Sequence, residues 1–158
     1  MGKGVNTWTC RQEFMDHIPS VGSVMTPFPH VVQASDSLLR ARTLMVEHQM
    51  RHLPVKDGNA LVGVLTDRDL KRVLDPDLGL PPKAQLFVRD AFVADAYVVD
   101  SHEPLDGVLE HLASHHIGSA LVTKSGRLAG IFTTTDACRI FCQHLRSLFP
   151  SPSGEDAA

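Results

Sequence analysis

Two short stretches hold the residue types that could do chemistry, and they match. "GVLTDRDL" occupies residues 63–70 and "GIFTTTDA" residues 130–137, so glycine, two apolar residues, threonine, two variable residues and aspartate occur twice, 67 residues apart. Thr66 followed by Asp69, and Thr133 followed by Asp136, have the spacing of a helix N-cap and its reciprocal partner at the third position. The same geometry suits a ligand. A helix start presents unpaired N–H groups and a positive dipole end to phosphate, and threonine adds a hydroxyl. An acceptor-only carboxylate fits the vicinal hydroxyls of a ribose. Capping and ligand binding are compatible, because a capping threonine can still face a cleft. In the second copy Thr134 and Thr135 add further hydroxyls.

The elements around these motifs repeat as well. Residues 21–70 align with 88–137 without a gap, with about ten of fifty positions identical. "HVVQ" and "YVVD" read as short strands. "SDSLLRARTLMVEHQM" follows with Ser35 and Asp36 as cap candidates, and with Leu38, Leu39, Ala41, Leu44, Met45 and Met50 at helical spacing. "HEPLDGVLEHLASHHI" repeats this with Leu105, Val108, Leu109 and Leu112. A hairpin comes next in each half, turning at Asp57-Gly58 and at Ser125-Gly126, and each half closes with a helix. Each half therefore reads β-α-β-β-α, an α/β (α+β) unit too small to bury a comfortable core alone. Two such units related by a pseudo-twofold axis and packed sheet to sheet would solve that problem. The expected organisation is an N-terminal extension over 1–20, a first repeat over 21–75, a linker with three prolines over 76–87, a second repeat over 88–149, and a disordered tail over 150–158.

These repeats resemble a tandem pair of CBS domains, the Bateman module. The likeness rests on "VMTPFPHVV", on "MRHLPVKDG" and on the Gly-apolar-apolar-Thr-x-x-Asp signature in both halves, and covers about residues 21–145. It implies a regulatory module that binds an adenosine nucleotide (AMP, ADP or ATP) in clefts between the repeats. It also implies a homodimer and a separate protein that the module regulates. By position, the resemblance places Thr26, Pro27 and His30 at the adenine pocket, with Val31 and Val98 as its apolar wall. Leu53 and Pro54 of the first half, and Ala120 of the second, belong to the same implied site. Arg51, His52 and Arg68 are the phosphate candidates of the first half, on charge and motif position. Thr66, Asp69, Thr133, Thr135 and Asp136 carry the motif chemistry. Gly118 and Ser119 stand where the first half has Arg51 and His52, so the two clefts should differ, with weaker purchase on phosphate in the second. The alternative is a structural module that dimerises through the same fold and binds no ligand.

Other function classes find little support. With 43% hydrophobic and 21% charged residues the chain has a globular composition, and its formal charge of -3 gives no reason to expect nucleic acid as a partner. No apolar run approaches a membrane span, and the N-terminus lacks both a secretion signal and the myristoylation pattern. No nucleophile elbow, Walker loop or dinucleotide fingerprint occurs, so the chain is not expected to be an enzyme. His111 and His115, like His48 and His52, have four-residue spacing but no third ligand, and read as surface histidines rather than a metal site. Three cysteines form no disulfide framework, which points to a reducing cytoplasm. Cys138 and Cys142 are expected to be small core residues. The final helix, with Ile140, Phe141, Leu145, Leu148 and Phe149, is expected to contribute to a dimer interface.

Overall fold

The computed structural model describes residues 17–75 and 85–149. Most of the N-terminal extension, the three linker prolines and the C-terminal tail lie outside the described residues. The first repeat comprises a short helix α1 (Val21–Val24), β1 (Thr26–Pro27), β2 (Val32–Gln33), α2 (Leu38–Glu47), β3 (His52–Asp57), β4 (Ala60–Thr66) and α3 (Asp67–Val73). In the second, a 3-10 turn at Val88–Asp90 precedes β5 (Val98–Asp100), α4 (Leu105–Ser114), β6 (Ser119–Lys124), β7 (Arg127–Thr133) and α5 (Thr134–Leu148). Both β-α-β-β-α units are present.

Local chemistry accounts for the element ends. Ser37, rather than Ser35 or Asp36, caps α2 by accepting the Arg40 N–H at 3.2 Å. Asp36 instead accepts the Gln33 N–H and closes the preceding turn. The first hairpin turns one residue later than expected, at Gly58-Asn59, with Gly58 at φ +59°. The second turns at Ser125-Gly126, with both residues at positive φ. Apolar spacing along the helices selects the core: Leu38, Ala41 and Met45 of α2, and Leu105, Val108 and Leu112 of α4, are buried, while Leu39 and Leu109 stay partly exposed.

The repeats are not side by side. They are interlocked. One sheet runs β2-β3-β4, and the other runs β1-β7-β6-β5, so the first strand of the first repeat completes the sheet of the second. Thr26 pairs with Ile131 and Pro27 with Gly130. The reverse exchange occurs at Val93, which trades both backbone hydrogen bonds with Val64 at 3.0 and 2.8 Å. Further bonds obey the same symmetry. Val21 N–H bonds Glu103 C=O and Gly22 N–H bonds Ser101 C=O, while Val88 N–H bonds Asp36 C=O and Arg89 N–H bonds Ala34 C=O. Accordingly Val21 lies in the core of the second repeat, whereas Leu86, Val88 and Ala91 lie in the core of the first. Between the two sheets Val64 packs with Leu121 and Ile131. The sheets thus face each other, as expected.

Cys138 and Cys142 correct the expectation made for them, since both are exposed on α5. The helix buries its other side, where Ala137 and Ile140 meet the second core.

The repeated glycines make the exchange possible. A Cβ on Gly63 would lie 2.1 Å from Val93 O and 2.6 Å from the Phe92 ring; one on Gly130 would lie 2.2 Å from Met25 Sδ and 2.8 Å from Thr26 O. Gly107, inside α4, has nothing within 4 Å of that position. Gly63→Ala and Gly130→Ala should each cost about 1–3 kcal/mol through overpacking. Gly107→Ala should raise stability by about 0.5–1 kcal/mol, because alanine is the better helix former. Urea unfolding of the three variants checks both signs.

Candidate functional site: two capped helix starts beside exchanged strands

Each Thr-x-x-Asp motif sits where an antiparallel hairpin strand turns into a helix. Thr66 closes β4 and caps α3: its hydroxyl accepts the Asp69 N–H at 3.2 Å and donates to the Asp69 carboxylate. Thr133 closes β7 and caps α5 with a complete reciprocal box. Its hydroxyl accepts from Asp136 N–H at 3.4 Å and donates to Asp136 Oδ2 at 2.7 Å, while Oδ2 also accepts the Thr133 N–H at 2.8 Å. The capping role of both motifs is therefore real.

The two carboxylates then part company. Asp136 is 3% exposed, and Oδ1 accepts from Arg139 and, at 3.3 Å, from the Thr26 hydroxyl. Thr26 arrives on exchanged β1, so this residue of the first repeat belongs to the second motif. The matched position beside the first motif is Val93, which has no hydroxyl to offer. Asp69 keeps a side chain 15% exposed and has Arg72 at 3.9 Å. Sequence reasoning does not single out Arg72 and Arg139, although both follow their aspartate by three residues.

The remaining candidates divide by location. Arg51 and His52 are held at the first motif, where Arg51 C=O accepts the Asp67 N–H at 2.9 Å and His52 pairs with Thr66 across β3 and β4. Arg51 and Arg68 are exposed. Gly118 and Ser119 take the matched places at the second motif: Gly118 C=O accepts the Thr134 N–H, and Ser119 is buried opposite Thr133. The His52 ring crosses toward the second repeat, and a Cβ on Gly118 would lie 3.0 Å from its Nε2. Thr135 is exposed in the first turn of α5, and Pro27 is exposed on β1. Val31 and Val98 are 37% and 46% exposed.

Leu53 and Ala120 are fully buried and Pro54 is buried, so Leu53 and Ala120 can offer a ligand only backbone. His30 stacks on His48 at the end of α2, with ring centroids 3.9 Å apart. Its counterpart Tyr97, which carries no motif signal in the sequence, stacks on His111 at 3.8 Å, and His111 stacks on His115 at 3.9 Å. Among the described residues no group of three or more His, Cys, Asp or Glu side chains is placed to hold a metal, and no helix is long and apolar enough to cross a membrane.

Two interlocked β-α-β-β-α repeats with a capped helix start beside each exchanged strand define a paired-repeat fold, and sequence comparison identifies its family. The CBS domain family matches residues 21–76 and 88–142, and the chain belongs to that family. It is 35% identical over 103 residues to the uncharacterized Bacillus subtilis protein YlbB, covering 64% of this chain and 68% of YlbB. It is 24% identical over 126 residues to L-aspartate semialdehyde sulfurtransferase of Methanocaldococcus jannaschii, covering 78% of this chain but only 23% of that enzyme. Among solved structures, the Arabidopsis thaliana CBS-pair protein CBSX2 in complex with AMP superposes with a TM-score of 0.70 at 31% identity, covering 81% of this chain and 99% of that one.

The geometry makes the two aspartates unequal in stability. Asp136→Asn should cost more than Asp69→Asn, about 1.5–3 against about 1 kcal/mol, because the buried carboxylate holds a second donor pair from Arg139 and Thr26. Chemical denaturation of both variants measures the gap. His52 is pushed below the ordinary histidine value of 6.5, first by burial and then by the Arg51 charge, with Asp67 and Asp69 acting the other way. Between 6.5 and that lowered value the unfolded chain binds more protons than the folded one, so stability should fall as pH is lowered through this window. His52→Gln should flatten that part of the profile, which melting curves between about pH 5 and 7 will show.

Proposed function

We propose that the chain is a regulatory module that binds an adenosine nucleotide between its repeats and presents an altered surface to a partner protein. The first motif carries this reading. Asp69 is the carboxylate with acceptor capacity left, and it lies on the helix start that also holds Arg51, His52 and the exposed Arg68. A ribose would take the Asp69 oxygens through its two hydroxyls, while the cations and the helix N–H groups would face phosphate. AMP in CBSX2, at 31% identity over nearly the whole of that chain, supports an adenosine ligand. The number of phosphates follows from whether Arg51 and Arg68 both engage, with His52, its pKa lowered, as a neutral hydrogen-bonding neighbour.

For the second motif a specific observation favours the structural reading. Asp136 is satisfied by Thr133, Thr26 and Arg139 within the protein, so a ribose there must displace two donors. The two clefts should therefore fill in order, the first before the second. We further infer that the module works as a homodimer in the cytoplasm on a regulated protein, and that it has no catalytic step of its own.

Calorimetric titration with AMP, ADP, ATP and S-adenosylmethionine tests the reading. Asp69→Ala should weaken the tighter binding event by about tenfold to a hundredfold, since hydrogen bonds to a charged acceptor are worth roughly 1.5–3 kcal/mol. Asp136→Ala should leave that event unchanged. A ligand at 100 times its dissociation constant should also stabilise the wild-type fold by about 2.7 kcal/mol. No thermal shift with any of the four at millimolar concentration would overturn the sensor reading.

A further inference from the structure

One imidazole stands between the two repeats without a hydrogen-bond partner. His52 opens β3 opposite Thr66, the cap of the first motif. Its ring lies over Gly118 of the second repeat, where a Cβ would meet Nε2 at 3.0 Å and Cε1 at 3.4 Å. Any side chain at 118 would press on the ring, so the glycine lets it sit there. Neither ring nitrogen makes a hydrogen bond among the described residues, and neither is sealed from solvent. Polar groups inside a fold are ordinarily paired, so a half-buried imidazole with both nitrogens open points to a partner from outside the chain.

Three charged groups act on this ring. Arg51 precedes it in the chain, and Asp67 and Asp69 face it from the start of α3. Those carboxylates already hold Lys71 and the Thr66 hydroxyl respectively. The second repeat brings Gly118 and no charged group. Burial first, and Arg51 second, outweigh the two carboxylates and hold the ring below the ordinary 6.5, so it is neutral at pH 7 in the empty cleft.

We propose that His52 selects phosphate-bearing ligands in the first cleft by taking up a proton from solvent as the phosphate docks. This rests on the nucleotide reading above and adds a proton to its binding step. A phosphate oxygen against an open ring nitrogen favours the imidazolium and supplies the hydrogen bond that the ring lacks. Uncharged adenosine gives no such drive, and the sulfonium of S-adenosylmethionine opposes it. The complex then binds a proton more tightly than the empty protein does. Affinity for phosphate therefore rises as pH falls through the range where only the complex is protonated, and levels off once the empty ring is protonated too. One proton limits the rise to about tenfold per pH unit. The second cleft lacks the device, because Ser119 holds the matched position and has no group that titrates in this range.

Calorimetric titration of the intact chain with AMP and with adenosine tests the proposal. At about pH 6.5, in two buffers of different protonation enthalpy, AMP should draw more protons onto the wild type than onto His52→Gln, and adenosine should draw none onto either. Between about pH 7.5 and 5.5 the affinity of the wild type for AMP, relative to His52→Gln, should rise about threefold to tenfold. The ratio is the readout because the phosphate of AMP itself titrates at about pH 6 and affects both proteins alike. Proton NMR of the wild type gives a second measure, in which AMP, and not adenosine, should move the His52 titration to higher pH. Failure of both ligands to bind at any pH overturns the nucleotide reading itself. AMP binding with a constant wild-type to variant ratio, or a His52 titration that AMP leaves unmoved, overturns this inference alone.

Discussion

The fold stands on the exchange of entry strands across two glycines. Thr26 and Pro27 can reach β7, and Val93 can reach β4, only because Gly130 and Gly63 present no Cβ to the arriving backbone. The exchange places Val21 in one core and Val88 in the other, so each small repeat completes its neighbour rather than itself. A unit of this size buries too little surface to be secure alone. Two that share edge strands behave as one body.

The same constraint sets the chemistry. Interlocking carries a residue of each repeat to the motif of the other, and duplication with divergence then makes those residues unlike. Thr26 meets Asp136 and closes its hydrogen-bonding capacity, while the apolar Val93 lies at the matched place near Asp69. Gly118 and Ser119 leave the second motif without cations at those two places, whereas Arg51 and His52 flank the first. A pair of near-identical sequence signatures thus becomes one carboxylate sealed inside the protein and one with acceptor capacity to spare. The helix cap is common to both, since Thr66 and Thr133 each accept the N–H of their aspartate.

Much of this is legible in the sequence, for identifiable reasons. Period and capping residues locate the helices, and the constant 67-residue offset reveals two copies of one unit. The exchange is not legible, because an offset shows that two units are alike without showing which sheet an edge strand joins. Thr26-Pro27 is a two-residue strand with no alternation to read, and its proline suits only an edge. Sequence alone therefore leaves Thr26 with its own repeat, although matched Gly63 and Gly130 are a signal of close backbone approach. Cys138 and Cys142 are misplaced for another reason. α5 carries apolar residues on two faces, and periodicity alone does not say which face meets the core. The arginines that pair with Asp69 and Asp136, Arg72 and Arg139, are present as a repeated Asp-x-x-Arg spacing.

Native-state hydrogen exchange on the Val64 and Val93 amides tests the interlock most directly. These two amides bond to each other's residues across the exchange, and they should open only with the slowest core amides of both repeats, at one free energy with one dependence on urea. If Val64 and Val93 instead exchanged by a low-energy local opening while each core stayed protected, the entry strands would be ornaments on two independent units. The interlock would then not be what makes the two repeats one body.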